Sequence, residues 1–170
     1  DLRRTVAKVV DGCQQLAERK GSRITVSDPG VPCEATYDPR RVERVLRNLV
    51  VNAIEHGEGK PVEIRVGTND DAVAVVVRDH GVGLRPGESG LVFNRFWRAD
   101  PARARTTGGT GLGLAIALED ARLHSGWLQA WGAPGDGSSF RLTLPRAPGT
   151  PIGSSPLPLK PVAAVTEAAG

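Results

Sequence analysis

The chain has no methionine, two cysteines, one tyrosine and only 4% aromatic residues across its 170 positions. Cys13 and Cys33 show no metal-ligand spacing, which argues against a zinc site or a multi-disulfide scaffold and points to reduced, cytoplasmic thiols. No apolar run approaches the ~18 residues needed to span a bilayer, and no secretory leader is visible, so no membrane contact is expected of this stretch. Basic residues are dispersed and aromatics do not interleave with them, so nucleic acid is not an expected partner despite a net charge of +3. A chain without methionine that begins at Asp1 is expected to be part of a longer protein.

What remains is ordinary for a globular domain: 39% hydrophobic and 24% charged residues, enough length for one core. Almost all the positive charge is arginine. Arginine pairs with phosphate oxygens through its planar fork, although a GC-rich coding sequence produces the same excess.

Hydrophobic periodicity sets out the elements. Leu2, Val6, Val9, Val10, Cys13, Leu16 and Ala17 mark a helix ending near Gly21. Residues 23–27 ("RITVS") and 33–37 ("CEATY") alternate as two strands. Asp38 and Pro39 then suit the cap and first turn of a helix whose buried stripe is Val42, Val45, Leu46, Leu49 and Ala53, stopping at Gly57. "VEIRVG" and "AVAVVVRD" read as a hairpin turning at Asn69–Asp71, the second being nearly continuous β-branched sequence expected of a central strand. A Gly/Arg/Pro-rich stretch from His80 to Gly109 precedes a helix from about Thr110 to His124, and "WLQAW" and "SFRLTL" close the sequence as a strand pair. Beyond Pro145 the Pro/Gly/Ser/Ala composition predicts a disordered tail over Arg146–Gly170. Strands that come in pairs between helices predict an α+β fold, a two-layer α/β sandwich with a mixed sheet on three helices.

Three constellations carry chemistry. Asn48 and Asn52 lie four apart on one helix flank, where their amides would serve a Mg²⁺ ion or satisfy loop backbone. Asp79 follows the central strand in "RDHGVGL": its carboxylate would accept from an exocyclic amine or a metal-bound water, with Gly81 and Gly83 letting a planar group approach, or the motif is a common turn. In "GGTGLGLAIA", Gly108, Gly109, Gly111 and Gly113 lead into a helix whose N-terminus favours phosphate, or they permit close helix–sheet packing. Between the glycine clusters Arg95, Arg98, Arg103 and Arg105 could meet phosphates, and Phe93, Phe96 and Trp97 either dock on a partner or anchor the loop.

Taken in order, Asn48-x-x-x-Asn52, Asp79-x-Gly81-x-Gly83, Phe93-x-x-Phe96 and Gly109-x-Gly111-x-Gly113 resemble the N, G1, F and G2 boxes of sensor histidine kinases. The resemblance covers about Asp1–Pro145 and brings the ATP-binding α/β sandwich shared with gyrase and MutL, the Bergerat-type fold. It implies that residues 1–21 are a connecting helix and 22–145 the catalytic domain, with an ATP lid at about 80–109. It also implies that Asp79 accepts from the adenine amine, with Gly81 and Gly83 bordering the base. Asn52 would ligate Mg²⁺ with Asn48 beside it. Arg98 and Arg95 would approach the γ-phosphate, and Gly109, Thr110, Gly111, Leu112 and Gly113 would hold the phosphates. Two departures stand out. Asn48 replaces the water-activating glutamate of the related ATPases, and Glu55 stands where a basic residue is frequent, leaving its duty to Arg98 or His56 unless Glu55 turns outward. The implied function is transfer of the γ-phosphoryl of ATP to a histidine on a separate dimerisation domain, with a response regulator downstream. The alternatives are an ATPase switch or a non-catalytic ATP-binding module. His56, His80 and His124 lack an acceptor context, so the fragment is not expected to autophosphorylate alone. The resemblance places it on the cytoplasmic side of a membrane-anchored protein.

Overall fold

The computed structural model describes residues 1–95, 97 and 112–162. Helix α1 (Leu2–Lys20) starts where the Asp1 carboxylate accepts the Arg3 N–H and ends at Gly21 in the left-handed region, φ 73°. Helix α2 (Pro39–His56) is capped by Asp38, which accepts from the Arg40 and Arg41 amides and contributes about 1 kcal/mol. Its expected stripe, Val42, Val45, Leu46, Leu49 and Ala53, is fully buried. Helix α3 (Gly113–Leu123) packs on the other side of α2 from α1.

Five strands form one sheet in the order β1 (Ile24–Ser27), β2 (Val62–Thr68), β3 (Ala72–Asp79), β5 (Ser138–Pro145), β4 (Trp127–Gly132). β1 and β2 run parallel across the α2 crossover, and the remaining pairs are antiparallel. The β2–β3 turn is closed by Asn69, whose side-chain oxygen accepts from the Asp71 and Ala72 amides. β3 is the middle strand. Val73, Val75 and Val77 face the helices together with Phe140, Leu142 and Leu144 of β5, while Ala74 and Val76 face away. Each large buried side chain of this layer contributes about 1.5–3 kcal/mol. The architecture is the expected α+β sandwich.

Two expectations fail. Residues 33–37 are not a strand, although Cys33 is buried and Ala35 and Tyr37 pack on the core. Their backbone groups are taken elsewhere: the Cys33 carbonyl accepts from Leu2, its amide donates to Asp1, and the Thr36 amide donates to Arg146. The alternation reports burial without a ladder. Over residues 146–162 the expected disordered tail is instead packed, running back across the outer face of the sheet. There Leu157 is only 8% exposed and clusters with Ala74 and Val76. Composition missed this because one well-seated leucine and a few hydrogen bonds suffice where prolines already limit the unfolded chain.

An ion-pair cluster joins α2 to α3. Asp120, 1% exposed, accepts two bonds from Arg44 (2.7 and 2.8 Å) and one from Arg41 (3.0 Å). Nearby, His124 Nε2 accepts the Asp38 amide at 3.0 Å, joining the C-terminus of α3 to the cap of α2. The Arg44 hydrogen bonds outweigh the opposing effect of burial and hold the Asp120 carboxyl below the usual aspartate range. Its stabilisation is therefore complete above the unfolded-state value of about 4 and is lost as pH falls through the lower folded value. Asp120→Asn is expected to cost roughly 1–3 kcal/mol at neutral pH. Differential scanning calorimetry should show a lowered midpoint whose gap to the parent chain narrows in acid.

Candidate functional site

β3 delivers Asp79 to the end of the sheet with 1% exposure. One carboxylate oxygen accepts the Gly81 amide at 3.0 Å and the other accepts the Ser138 hydroxyl, which the β3–β5 register places directly opposite. A carboxylate offers about four acceptor positions, so two protein donors orient it and leave capacity for an external N–H. Ser138 was missed by the sequence reading. Its signal was faint: a serine pair in "GDGSSF" after the turn that leads into the closing strand.

The glycines after Asp79 have packing reasons of their own. A Cβ at Gly81 would lie 1.8 Å from the His56 carbonyl oxygen and 2.9 Å from the Gly57 Cα. The strand end is thus pressed onto the last turn of α2. Gly83 has φ +76°, and a Cβ there would meet the Ala133 carbonyl oxygen at 1.9 Å. Gly137, also at positive φ, would strike the Asp79 carbonyl oxygen at 2.0 Å. Arg78 reinforces this corner by donating to the carbonyls of Asp79 and Asp136 while its guanidinium stacks over Trp131.

α2 contributes the amide pair. Asn48 Nδ2 donates to the Gly113 carbonyl at 2.9 Å, and a Cβ on Gly113 would touch the Asn48 amide at 3.4 Å. Asn48 therefore ties α2 to the first residue of α3, the loop-backbone role weighed for it above. Asn52, one turn on and half-buried, makes no side-chain hydrogen bond among the described residues. Its oxygen stays available to a cation. Glu55 is half-buried and His56 exposed at the helix end. Asp79, Gly81, Asn52, His56, Asn48 and Gly113 thus gather around the C-terminal half of α2.

The first part of the expected lid is fixed to the core. Leu84 and Val92 are buried, Phe93 meets Phe140 edge to face at 6.1 Å, and Trp97 packs on the core. These aromatics anchor the segment. Arg95 lies exposed beside them. Phe96, Arg98, Arg103, Arg105, Gly108, Gly109, Thr110 and Gly111 lie outside the described residues, whereas Leu112 caps α3 and Gly113 begins it. Among the described residues no group of three or more His, Cys, Asp or Glu side chains could hold a metal on its own, and no helix is long and apolar enough to cross a membrane.

Residues 37–148 match the model of the family described as histidine kinase-, DNA gyrase B-, and HSP90-like ATPase. Sensor histidine kinase MtrB of Mycolicibacterium paratuberculosis is 59% identical over 162 residues, covering 95% of this chain and 29% of the relative. The MtrB of Mycobacterium tuberculosis is 58% identical over the same length. The chain thus spans less than a third of these relatives. The solved structure of a mycobacterial sensor histidine kinase, MprB, aligns with TM-score 0.71 at 26% identity, covering 87% of this chain and 96% of that one. Full-length ShkA in complex with AMPPNP aligns with TM-score 0.76 at 25% identity, covering 89% of this chain and 31% of that one. The matched stretch contains Asn48, Asn52, Asp79 and Gly113 alike: the chain belongs to the histidine kinase-, DNA gyrase B-, and HSP90-like ATPase family and corresponds to the catalytic, ATP-binding domain of sensor histidine kinases.

Proposed function

We propose that this domain holds Mg²⁺-ATP between α2, the end of β3 and the start of α3, and that the whole protein transfers the γ-phosphoryl to a histidine on its own dimerisation domain. The observation that carries the reading is Asp79: a buried carboxylate, oriented by Gly81 and Ser138, at the C-terminal end of the central strand. The exocyclic amine of adenine is a donor there, whereas guanine presents a carbonyl oxygen that the carboxylate would repel. Gly81 and Gly83 keep the turn against α2 and the β4–β5 loop, so the wall beside the base is rigid.

The residues present suit magnesium. With no acidic cluster among the described residues, the ion would rely on phosphate oxygens, waters and the Asn52 amide oxygen, the coordination Mg²⁺ favours. Bound there, it would neutralise phosphate charge. Asn48 holds the start of α3 in place, toward which Leu112, Gly113 and the preceding Gly109, Thr110 and Gly111 would present amides to the phosphates. Arg98 and Arg95 would supply positive charge from the lid side, with His56 at the end of α2 as a further hydrogen-bonding group. An amide at position 48 cannot take a proton from water, so transfer to an external nucleophile is favoured over hydrolysis and catalysis rests on positioning and charge. A response regulator would receive the phosphoryl downstream, and the domain would face the cytoplasm of a membrane-anchored protein.

Isothermal titration calorimetry with AMPPNP tests the pocket. Asp79→Asn is expected to weaken binding by about 1–3 kcal/mol with an unchanged fold, and unchanged affinity would remove Asp79 from the role. Asn52→Ala should abolish the Mg²⁺ dependence of that affinity while nucleotide still binds. Phosphotransfer needs the missing segment: the domain alone should yield no acid-labile phosphohistidine with radiolabelled ATP, and adding a separate histidine-bearing dimerisation segment should produce it. Steady phosphate release at about one turnover per second would instead mark an ATPase switch.

A further inference from the structure

The helix layer covers one face of the sheet, and the other face carries a feature unrelated to the site. Residues past 148, where the family match ends, return across this outer face. Leu157 is seated over β2 and β3 in a depression made by the missing side chain of Gly67 and the short one of Ala74, with Val76 beside it. A Cβ at Gly67 would lie 2.8 Å from two Leu157 side-chain carbons, so the glycine is matched to the leucine.

The backbone of the same segment is read by side chains. Arg141 Nη1 donates to the Leu157 carbonyl at 2.7 Å and Asn69 Nδ2 to the Ser154 carbonyl at 3.1 Å. The Thr143 and Ser155 hydroxyls pair at 2.9 Å. Pro156 and Pro158 flank the leucine, each fixing its own φ and removing a competing N–H donor. A leucine in a fitted hole, two carbonyls caught by fixed donors and a proline-stiffened backbone are the parts of a peptide-recognition site.

We propose that Gly67, Asn69, Ala74, Val76, Arg141 and Thr143 form a binding site for a proline-flanked leucine peptide, and that Ser154–Leu157 of the same chain is its tethered, exchangeable ligand. The segment forms no strand with the sheet, so it lifts off without breaking a ladder. Tethering supplies roughly millimolar effective concentration, so a modest intrinsic affinity keeps the site filled. The strap and the nucleotide-side residues lie on opposite faces, and exchange does not require the α2 site to open.

The experiment uses the whole chain. Leu157→Asp should release the strap and raise proteinase K cleavage within residues 150–162 by roughly ten- to hundredfold, the factor that burial of one leucine implies. A fluorescent peptide of residues 150–162 should bind the released variant in trans and should fail to bind once Gly67→Leu is added. Far-ultraviolet circular dichroism and the AMPPNP titration report separately on fold and on the nucleotide site. If Leu157→Asp fails to fold, Leu157→Ala with hydrogen exchange over residues 152–159 tests the same release. Unchanged protection of the tail, or peptide binding indifferent to Gly67→Leu, overturns the proposal. A cleavage rate in the parent chain that falls with protein concentration would also overturn it, by making the occupant a second copy's tail.

Discussion

The turn that leaves the central strand lies against the last turn of α2, and it reaches that position only because residue 81 has no side chain. With 1.8 Å between a notional Cβ and the His56 carbonyl oxygen, any other residue would force strand and helix apart. That approach sets the end of β3, which carries Asp79, against the last turn of the helix that carries Asn52. Gly83, in the loop after β3, and Gly137, in the β4–β5 turn, impose the same condition: the first lies against the Ala133 carbonyl and the second against the backbone of Asp79. The site is assembled by backbone packing. Side-chain hydrogen bonds then orient what the backbone has brought together.

α2 is the element on which this assembly is built. Its buried stripe fixes it to the sheet, its C-terminus receives the Gly81 turn, and its exposed flank holds α3 through two polar ties. Asn48 grips the first residue of α3 through the Gly113 carbonyl, and Arg41 and Arg44 grip Asp120 two turns further along. A helix fixed at both places cannot slide or rotate on its neighbour without breaking charge-assisted bonds. The α3 N-terminus therefore keeps its place relative to Asn52, as phosphate binding at that end would require. Asn48 and Asn52, so alike in sequence, differ in the structure: one is committed to the Gly113 carbonyl, and the other makes no side-chain hydrogen bond among the described residues.

How much of this was legible beforehand follows from which interactions are local. Caps, stripes and the Asn69 turn each link residues to near neighbours in the chain, and α1, α2, β2 and β3 lie where the pattern put them. The strand expected at residues 33–37 did not form, because alternation records which side chains are buried and is silent on what the backbone bonds to. Ser138 escaped notice because its partner lies 59 positions away. The order of the outer face escaped as well, since composition weighs a tail's average and here one leucine meets a gap left by Gly67.

The sequence by itself determined the three helices and five strands in their order, apart from the strand it added at residues 33–37, the mixed-sheet sandwich, and the spacing of Asn48, Asn52, Asp79 and the glycines that mark the family, because each of these is written in short-range periodicity or motif. Tertiary structure decided what the glycines are for, which asparagine is committed, what orients Asp79 and where the tail rests. Those outcomes depend on contacts between residues distant in the chain, and close packing admits a side chain or refuses it only after the strands and helices have met.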